Sequence, residues 1–317
     1  MVGQALEPLG HAAQLAELRD LWRDGAGPRT LLFAGPESVG RRPAARWFAA
    51  YVNCSGPAEA RPCGVCPSCS LLAAGTHPDL KEVAPRATTS TGRAKRSLEL
   101  RIDQLVPREG GDPEPLGPWL LTRPRFTTRV GVIDHAESLN VAAANAFLKL
   151  LEEPPAWALI VLIAPGPEAV LPTVASRAAT VRFRPVDAAE LERLAPGATD
   201  HPAVRLGQPG ALLRAAEGSG DGARRAAEAL LQALDGDLAG AVTAAEAFAK
   251  ATQEALETGT EPGPLVWLRE LLRREPPQRY ATAVAAVDRC DEALASYAQA
   301  TLACTVLALE LRAVLGA

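Results

Sequence analysis

Two hydrophobic patterns alternate along the first part of the chain. Short unbroken apolar runs are followed by stretches in which apolar residues recur every three or four positions. Thr30 to Ala34 (TLLFA) is an apolar run that ends at Gly35-Pro36, as expected of a buried strand. Residues 43–52 then place Ala44, Ala45, Phe48 and Val52 on one helical stripe. The segment HPDLKEVA gives a second strand, and Val130 to Ile133 a third that ends in Asp134. NVAAANAFLKLLEEPP reads as a helix. Asn140 is its N-cap, Ala143, Phe147, Leu150 and Leu151 its apolar face, and Pro154-Pro155 its stop. ALIVLIAP and TVRFRP supply two more strands. Strands that are apolar throughout and alternate with helices predict a parallel sheet covered on both faces.

Beyond Val186 the strand pattern ends. Residues 187–216 predict a small helical unit, and residues 222–317 an Ala/Leu-rich helical region interrupted near 258–264 and 275–277. Boundaries are therefore expected near 185 and 217. Val284, Val287, Leu294, Tyr297, Leu302, Val306 and Leu309 follow helical spacing roughly and are expected to pack within a bundle. Residues 85–97 are polar, basic and rich in turn formers, which predicts a mobile loop. Within it Arg93, Lys95 and Arg96 form a dense basic run. That run is either a solvated loop or a contact for DNA or a partner. LRIDQLV predicts a helix ending near Pro107, while REGGDPEPLGP permits no assignment.

Composition narrows the picture. The 317 residues are 48% hydrophobic and 22% charged, which fits a soluble globular protein of two or three domains. The net charge of −4 argues against a protein that binds nucleic acid alone through a broadly basic surface. No long apolar run or leader is evident, so the expected location is the cytoplasm.

The candidate chemistry starts at Gly35-Pro-Glu-Ser-Val-Gly40-Arg-Arg, which has the spacing of a phosphate-binding P-loop between a strand and a helix. A working P-loop uses backbone N–H groups, a Lys on the outer phosphates and a Ser/Thr hydroxyl on magnesium. Here Arg41 and Arg42 replace the last two. A planar guanidinium is a poor substitute for a compact ammonium, and Arg42 has no oxygen for magnesium. Ser38 stands where related loops often have glycine, so a left-handed backbone there would be strained. Asp134 fits the magnesium-side aspartate, but His135 occupies the position of the glutamate that activates water, and the next strand ends in Ala164-Pro165 without a polar head. Loss at three separate stations predicts that ATP is not hydrolysed. The competing readings are a plain turn and an ATPase that uses Arg41.

Cys54, Cys63, Cys66 and Cys69 are separated by eight, two and two residues. Four thiolates suit tetrahedral zinc, and a closed set leaves no position for catalysis. Free thiols and a redox pair are the alternatives. Cys290 and Cys304 are expected as small buried hydrophobes. His11, His77, His135 and His201 show no ligand spacing, His77-Pro78-Asp79 reads as a turn, and Glu152-Glu153 as a solvated helix end.

LLFAGPESVG, the four cysteines, HPDL, RIDQL, GVIDHAESLNVAAANAFLKLLEEPP and LPTVASRAATVRF occur in the order found in bacterial clamp loaders. Over about residues 6–185 the chain resembles the clamp-loader AAA+ family, and among its members the non-hydrolysing kind rather than the ATP-hydrolysing gamma/tau subunits. The resemblance implies an AAA+-like α/β domain with a zinc-module insertion over residues 1–185, a helical lid over 186–216 and a helical collar over 217–317. It also implies that Ser176-Arg177, where the family's Ser-Arg-Cys motif ends in Ala178, presents an arginine finger to a neighbour's ATP. The P-loop residues Gly35, Gly40 and Arg41 would stand empty, and Arg214 would be a structural relic of a phosphate sensor. The implied partners are gamma/tau and delta subunits, with the sliding clamp and primed DNA met through the complex, and no membrane. Two other readings stay open: an active gamma/tau-like ATPase, and a zinc-dependent nucleic-acid-binding module. An ordinary salt-bridged surface arginine is the alternative for Arg177.

Overall fold

A computed structural model describes residues 7–23, 27–88, 94–198, 201–216, 221–258, 262–296 and 298–315. The chain divides into two compact units, residues 1–190 and 191–317.

The first unit is built on a five-stranded parallel sheet. Its strands are β1 (Thr30–Ala34), β2 (Leu80–Val83), β5 (Arg129–Ile133), β6 (Ala158–Ala164) and β7 (Ala179–Arg182). They lie in the order β2-β5-β6-β1-β7. All five residues of β1 and all seven of β6 are buried, as a sheet packed on both faces requires. One face carries α1 (Ala12–Leu21) and α2 (Arg41–Asn53), with Trp47, Phe48 and Leu15 in its core. The other carries α4 (Ile102–Leu105), α5 (Leu116–Leu121) and α6 (Val141–Glu152), with Leu105, Leu120 and Phe147. Gly131 of β5 lets α5 approach closely, since a Cβ there would lie 3.0 Å from Leu116 Cδ1. Asn140 caps α6 by accepting the Ala143 N–H at 2.8 Å. Of its expected apolar face, Ala143, Phe147 and Leu151 are fully buried. Two shorter helices complete the unit, α3 (Pro67–Ala73) and α7 (Pro172–Ala175).

Part of the stretch expected to be a mobile loop is instead a two-stranded antiparallel ribbon, β3 (Arg86–Thr88) with β4 (Ala94–Glu99). The apolar alternation that marks a half-buried strand is absent there, so backbone pairing formed it without a hydrophobic signal. Arg93 of the basic run falls outside the described residues. The helix expected from LRIDQLV is a single turn, and the unassigned stretch after it leads into α5.

Two buried polar side chains fix the entry to β5. Asn53, at the end of α2, accepts the N–H groups of Thr127 and Thr128 at 3.0 and 2.8 Å and donates to the carbonyls of Ala49 and Thr128. Asp79, fully buried, accepts the N–H groups of Arg125 and Phe126 at 2.9 and 2.7 Å.

The second unit is helical: α8 (Ala188–Leu194) runs into it, followed by α9 (Pro202–Arg205), α10 (Pro209–Ala216), α11 (Asp221–Leu234), α12 (Leu238–Thr258), α13 (Pro264–Leu272), α14 (Pro277–Ala295) and α15 (Ala300–Leu315). Phe248, Trp267, Leu268, Leu307 and Leu311 centre its core, and Cys290 and Cys304 are buried in it. The stripe expected to face inward on α15 faces outward: Leu302, Val306 and Leu309 are 62%, 46% and 43% exposed. Ala303, Cys304, Leu307, Ala308 and Leu311 are buried instead. The inward face of α15 mixes small residues at the close helix contacts with two leucines, and Leu302, Val306 and Leu309 lie on the other side.

Asn53→Ala would leave the buried Thr128 N–H unpaired, at a cost of about 1–3 kcal/mol, and would also remove the bonds to the Thr127 N–H and to the Ala49 and Thr128 carbonyls. The expected destabilisation is about 2–4 kcal/mol, measured by urea unfolding; a loss below about 1 kcal/mol would mean the β5 entry holds without it.

Candidate functional site

The loop from β1 to α2 joins the end of a central strand to the start of a helix, as the motif's spacing requires. Gly35 donates its N–H to the Ala164 carbonyl at 3.2 Å. A Cβ on Gly35 would lie 2.3 Å from the Phe183 carbonyl oxygen, so only glycine fits. Ser38 adopts φ 58°, the strained left-handed conformation expected of it, and Gly40 caps α2 at φ 115°. Val39 is buried, and its carbonyl lies 2.7 Å from His11 Nε2. His11 is itself buried against Phe183, so an imidazole from the start of α1 holds the loop from behind.

The two arginines that follow do not form a phosphate cradle. Arg41 is only 8% exposed. Arg42 grips Glu82 of β2 through both Nε and Nη2, at 3.3 and 2.9 Å. Arg46, one turn on, grips the same carboxylate at 2.9 and 2.5 Å. Burial alone would raise the Glu82 carboxyl, but the bonds from Arg46 and Arg42 hold it below its ordinary range. The bond to Glu82 in turn raises Arg42. The position that offers magnesium a hydroxyl in a working loop is thus filled by a cation already committed to a carboxylate.

At the end of β5, His135 takes φ 54°. Its Nδ1 lies 3.0 Å from Glu137 and 3.9 Å from Glu37 of the loop. The bond to Glu137 raises its pKa above the usual imidazole value; burial opposes this, and Asp134 and Glu37 reinforce it. An imidazole biased toward its cation is a poor base for activating water. β6 ends in buried Ala164, with no polar head.

The four cysteines converge. Cys54 ends α2, Cys66 caps α3 and Cys69 lies inside it. The four Sγ atoms lie within 4.8 Å of one another, close enough to hold one metal ion. The N–H groups of Gly56 and Cys63 reach Cys54 Sγ at 3.3 Å, and that of Cys66 reaches Cys63 Sγ at 3.4 Å. Without metal the set is electrostatically divided. Burial pushes the Cys54 and Cys69 thiols up. Backbone N–H groups of Val65 and Cys66 pull Cys63 down. At Cys66 burial is outweighed by hydrogen bonds from Cys69 and Ser55, which bring the thiol to about 6. A cation at the centre would stabilise all four thiolates together, so the donor set fits a soft divalent ion.

Arg177 follows α7 at the edge of the sheet. Its Nε donates to Glu152 Oε1 at 2.9 Å, Nη2 also donates to Glu152, and Nη1 donates to the Thr173 carbonyl at 2.7 Å and Ser176 Oγ at 3.3 Å. Arg214 lies in the last turn of α10.

Sequence reading gives His11 and His77 no role and does not single out Glu82. The ring of His77 accepts the Asp79 N–H at 3.1 Å and pairs with Ser68 of α3 at 2.9 Å, which joins the cysteine segment to β2. Burial lowers its pKa, so it works as a neutral imidazole. A strand with one acid facing a helix with Arg at i and i+4 was the available signal for Glu82.

Fold and site together define a parallel α/β module of the AAA+-like clamp-loader kind, with a C-terminal helical unit. A family model described as DNA polymerase III, delta subunit, matches residues 10–187, more than half of the chain, and the chain belongs to that family. Its relatives include a DNA polymerase III subunit delta′ from Pseudomonas aeruginosa, 37% identical over 176 residues, 55% of this chain and 49% of that protein. The delta′ subunit of Escherichia coli is 31% identical over 156 residues, 49% of this chain and 42% of that protein. The gamma/tau subunit of Mycobacterium tuberculosis is 34% identical over 153 residues, 48% and 24% of the two chains. The match spans about half the length of the delta′ relatives, 49% and 42%. A crystal structure of a gamma subunit-related protein from Thermotoga maritima shares the fold, with TM-score 0.53 at 20% identity over 94% of this chain and 98% of that one. Among the described residues no helix is long and apolar enough to cross a membrane.

In metal-stripped protein near neutral pH, Cys66 and Cys63 should alkylate before Cys54 and Cys69. A thiol at about 6 is a thiolate above that pH and protonated below it, so the Cys66 rate should fall on acidification through about pH 6. One equivalent of zinc should protect all four. Mass spectrometry of iodoacetamide adducts reads both; equal rates at all four sulfurs, or no protection, would refute the arrangement.

Proposed function

We propose that this chain is a non-hydrolysing, delta′-type subunit of a bacterial clamp loader. It serves with gamma/tau and delta subunits to place the sliding clamp on primed DNA, as part of the DNA polymerase III holoenzyme. Family membership supports the assembly. The observation that carries the non-hydrolysing part is the engagement of Arg42 by Glu82, which puts a committed cation where a working loop has a hydroxyl for magnesium. His135 in place of a catalytic glutamate points the same way, as does the buried, apolar end of β6.

In this reading Gly35, Gly40 and Arg41 are the remnant of a nucleotide loop. Arg177 is the working residue, aided by Ser176: a guanidinium at a module edge that stabilises charge building on the outer phosphate of a neighbour's ATP. Cys54, Cys63, Cys66 and Cys69 hold a structural zinc that braces the insertion after α2. Residues 186–216 form a lid and 217–317 a collar. The exposed stripe Leu302, Val306 and Leu309 on α15 gives the collar an apolar face to bury against another subunit.

Two measurements test this. The isolated chain should show no magnesium-dependent ATP binding by calorimetry; tight binding would restore the reading as an active gamma/tau-like motor. In a complex reconstituted with gamma/tau and delta, Arg177→Ala should slow turnover at the adjoining ATP site by about 10³-fold or more. Unchanged clamp-stimulated ATPase would remove the finger.

A further inference from the structure

The finger residue assigned above is not free in the single chain. Its four hydrogen bonds to Glu152, Thr173 and Ser176 engage four of the guanidinium's N–H groups, out of about five available. A bidentate grip on phosphate needs two parallel N–H groups on one edge. Neither edge of Arg177 offers two: Glu152 occupies the Nε–Nη2 edge, and Thr173 with Ser176 occupies Nη1. Phosphate can therefore enter only by exchange. The Thr173 and Ser176 contacts are local, within four residues of Arg177 and on its own turn. Glu152 comes from the end of α6, twenty-five residues away in sequence, and it is the only charged partner among the described residues.

We infer that Glu152 is a positioning residue that stores Arg177. It holds the guanidinium at the module edge while the neighbour's site is open and yields it to the outer phosphate when that site closes. This rests on the finger reading above. The exchange has the right sign. A terminal phosphate carries more charge and more acceptor oxygens than one carboxylate, so a closed interface favours transfer. The stored pair is weak enough to be broken: its side chains are 32% and 46% exposed, and exposed pairs are worth only about a 1.5- to 5-fold bias. Glu152 does not touch the reacting atoms and acts through Arg177 alone.

The test uses Glu152→Gln, which keeps the shape and removes the charge, together with Arg177→Ala. In the isolated chain, the Arg177 Nε–H resonance in ¹⁵N spectra should shift in Glu152→Gln while the thermal midpoint stays unchanged. In the reconstituted complex without clamp or DNA, Glu152→Gln should raise ATPase about 1.5- to 5-fold. The increase should shrink as salt screens the native pair, and the clamp- and DNA-stimulated rate should change less. Glu152→Asp should restore the native idle rate in part.

If the resonance does not move, the pair does not exist in solution and the inference is wrong, whatever Arg177 does. If Arg177→Ala abolishes stimulation but Glu152→Gln leaves the idle rate level or lowers it, the finger stands and storage fails. If Arg177→Ala is harmless while the resonance shifts, the finger reading has failed, and storage of a finger falls with it.

Discussion

One carboxylate organises the sheet edge on which the rest depends. Glu82 of β2 accepts Arg42 and Arg46, both through paired N–H groups, and its side chain is only 16% exposed. A partly buried acid facing two guanidinium groups is satisfied in charge and in hydrogen bonds. That contact pulls the first turn of α2 toward β2. In a nucleotide-binding module the same turn must keep a cation and a hydroxyl turned toward the ligand. Here that turn is tied to the sheet edge by internal charge. His11 completes the closure from behind by pairing with the Val39 carbonyl.

A second constraint links the cysteine segment to the sheet. Ser68 and Cys69 lie on the same short helix, α3. Ser68 meets His77, His77 accepts the Asp79 N–H, and Asp79 fixes the backbone of Arg125 and Phe126 before β5. The three side chains of this chain, Ser68, His77 and Asp79, are all buried. A buried polar chain is stable only when every member is paired, so a change in how the cysteines hold α3 is felt at the entry of β5. The cysteine set thus has a structural reach beyond its own loop.

Much of this architecture was legible in the residues. β1, β5 and β6 announced themselves because a strand buried on both faces must be apolar throughout, and α6 because Asn140 and Pro154-Pro155 bracket a clean 3.6-residue stripe. The cysteines were legible because thiolate spacing is local. What escaped depends on partners distant in sequence. Asn53 is paired 75 residues away, and nothing in its neighbourhood marks it as buried. The β3–β4 ribbon has no apolar period to read. On α15 apolar residues lie on both sides of the helix, so helical spacing alone does not pick the inward face, which is Ala303, Cys304, Leu307, Ala308 and Leu311.

Three arginines now carry the functional argument, and burial sorts them. Arg41 is largely buried, so moving it would bring a buried charged side chain into water. Arg42 shares a carboxylate that is 16% exposed with a second guanidinium, and releasing it would leave a half-buried acid with one partner fewer. Arg177 shares an acid that is 46% exposed, and water can replace the guanidinium there at little cost. The cost of removing an arginine from its acid rises as that acid is withdrawn from water. The same residue type can therefore lock one end of the sheet and remain transferable at the other. Of these three arginines, Arg177 is the one placed beside a well-solvated acid, whereas Arg41 is itself buried and Arg42 is held by a partly buried acid.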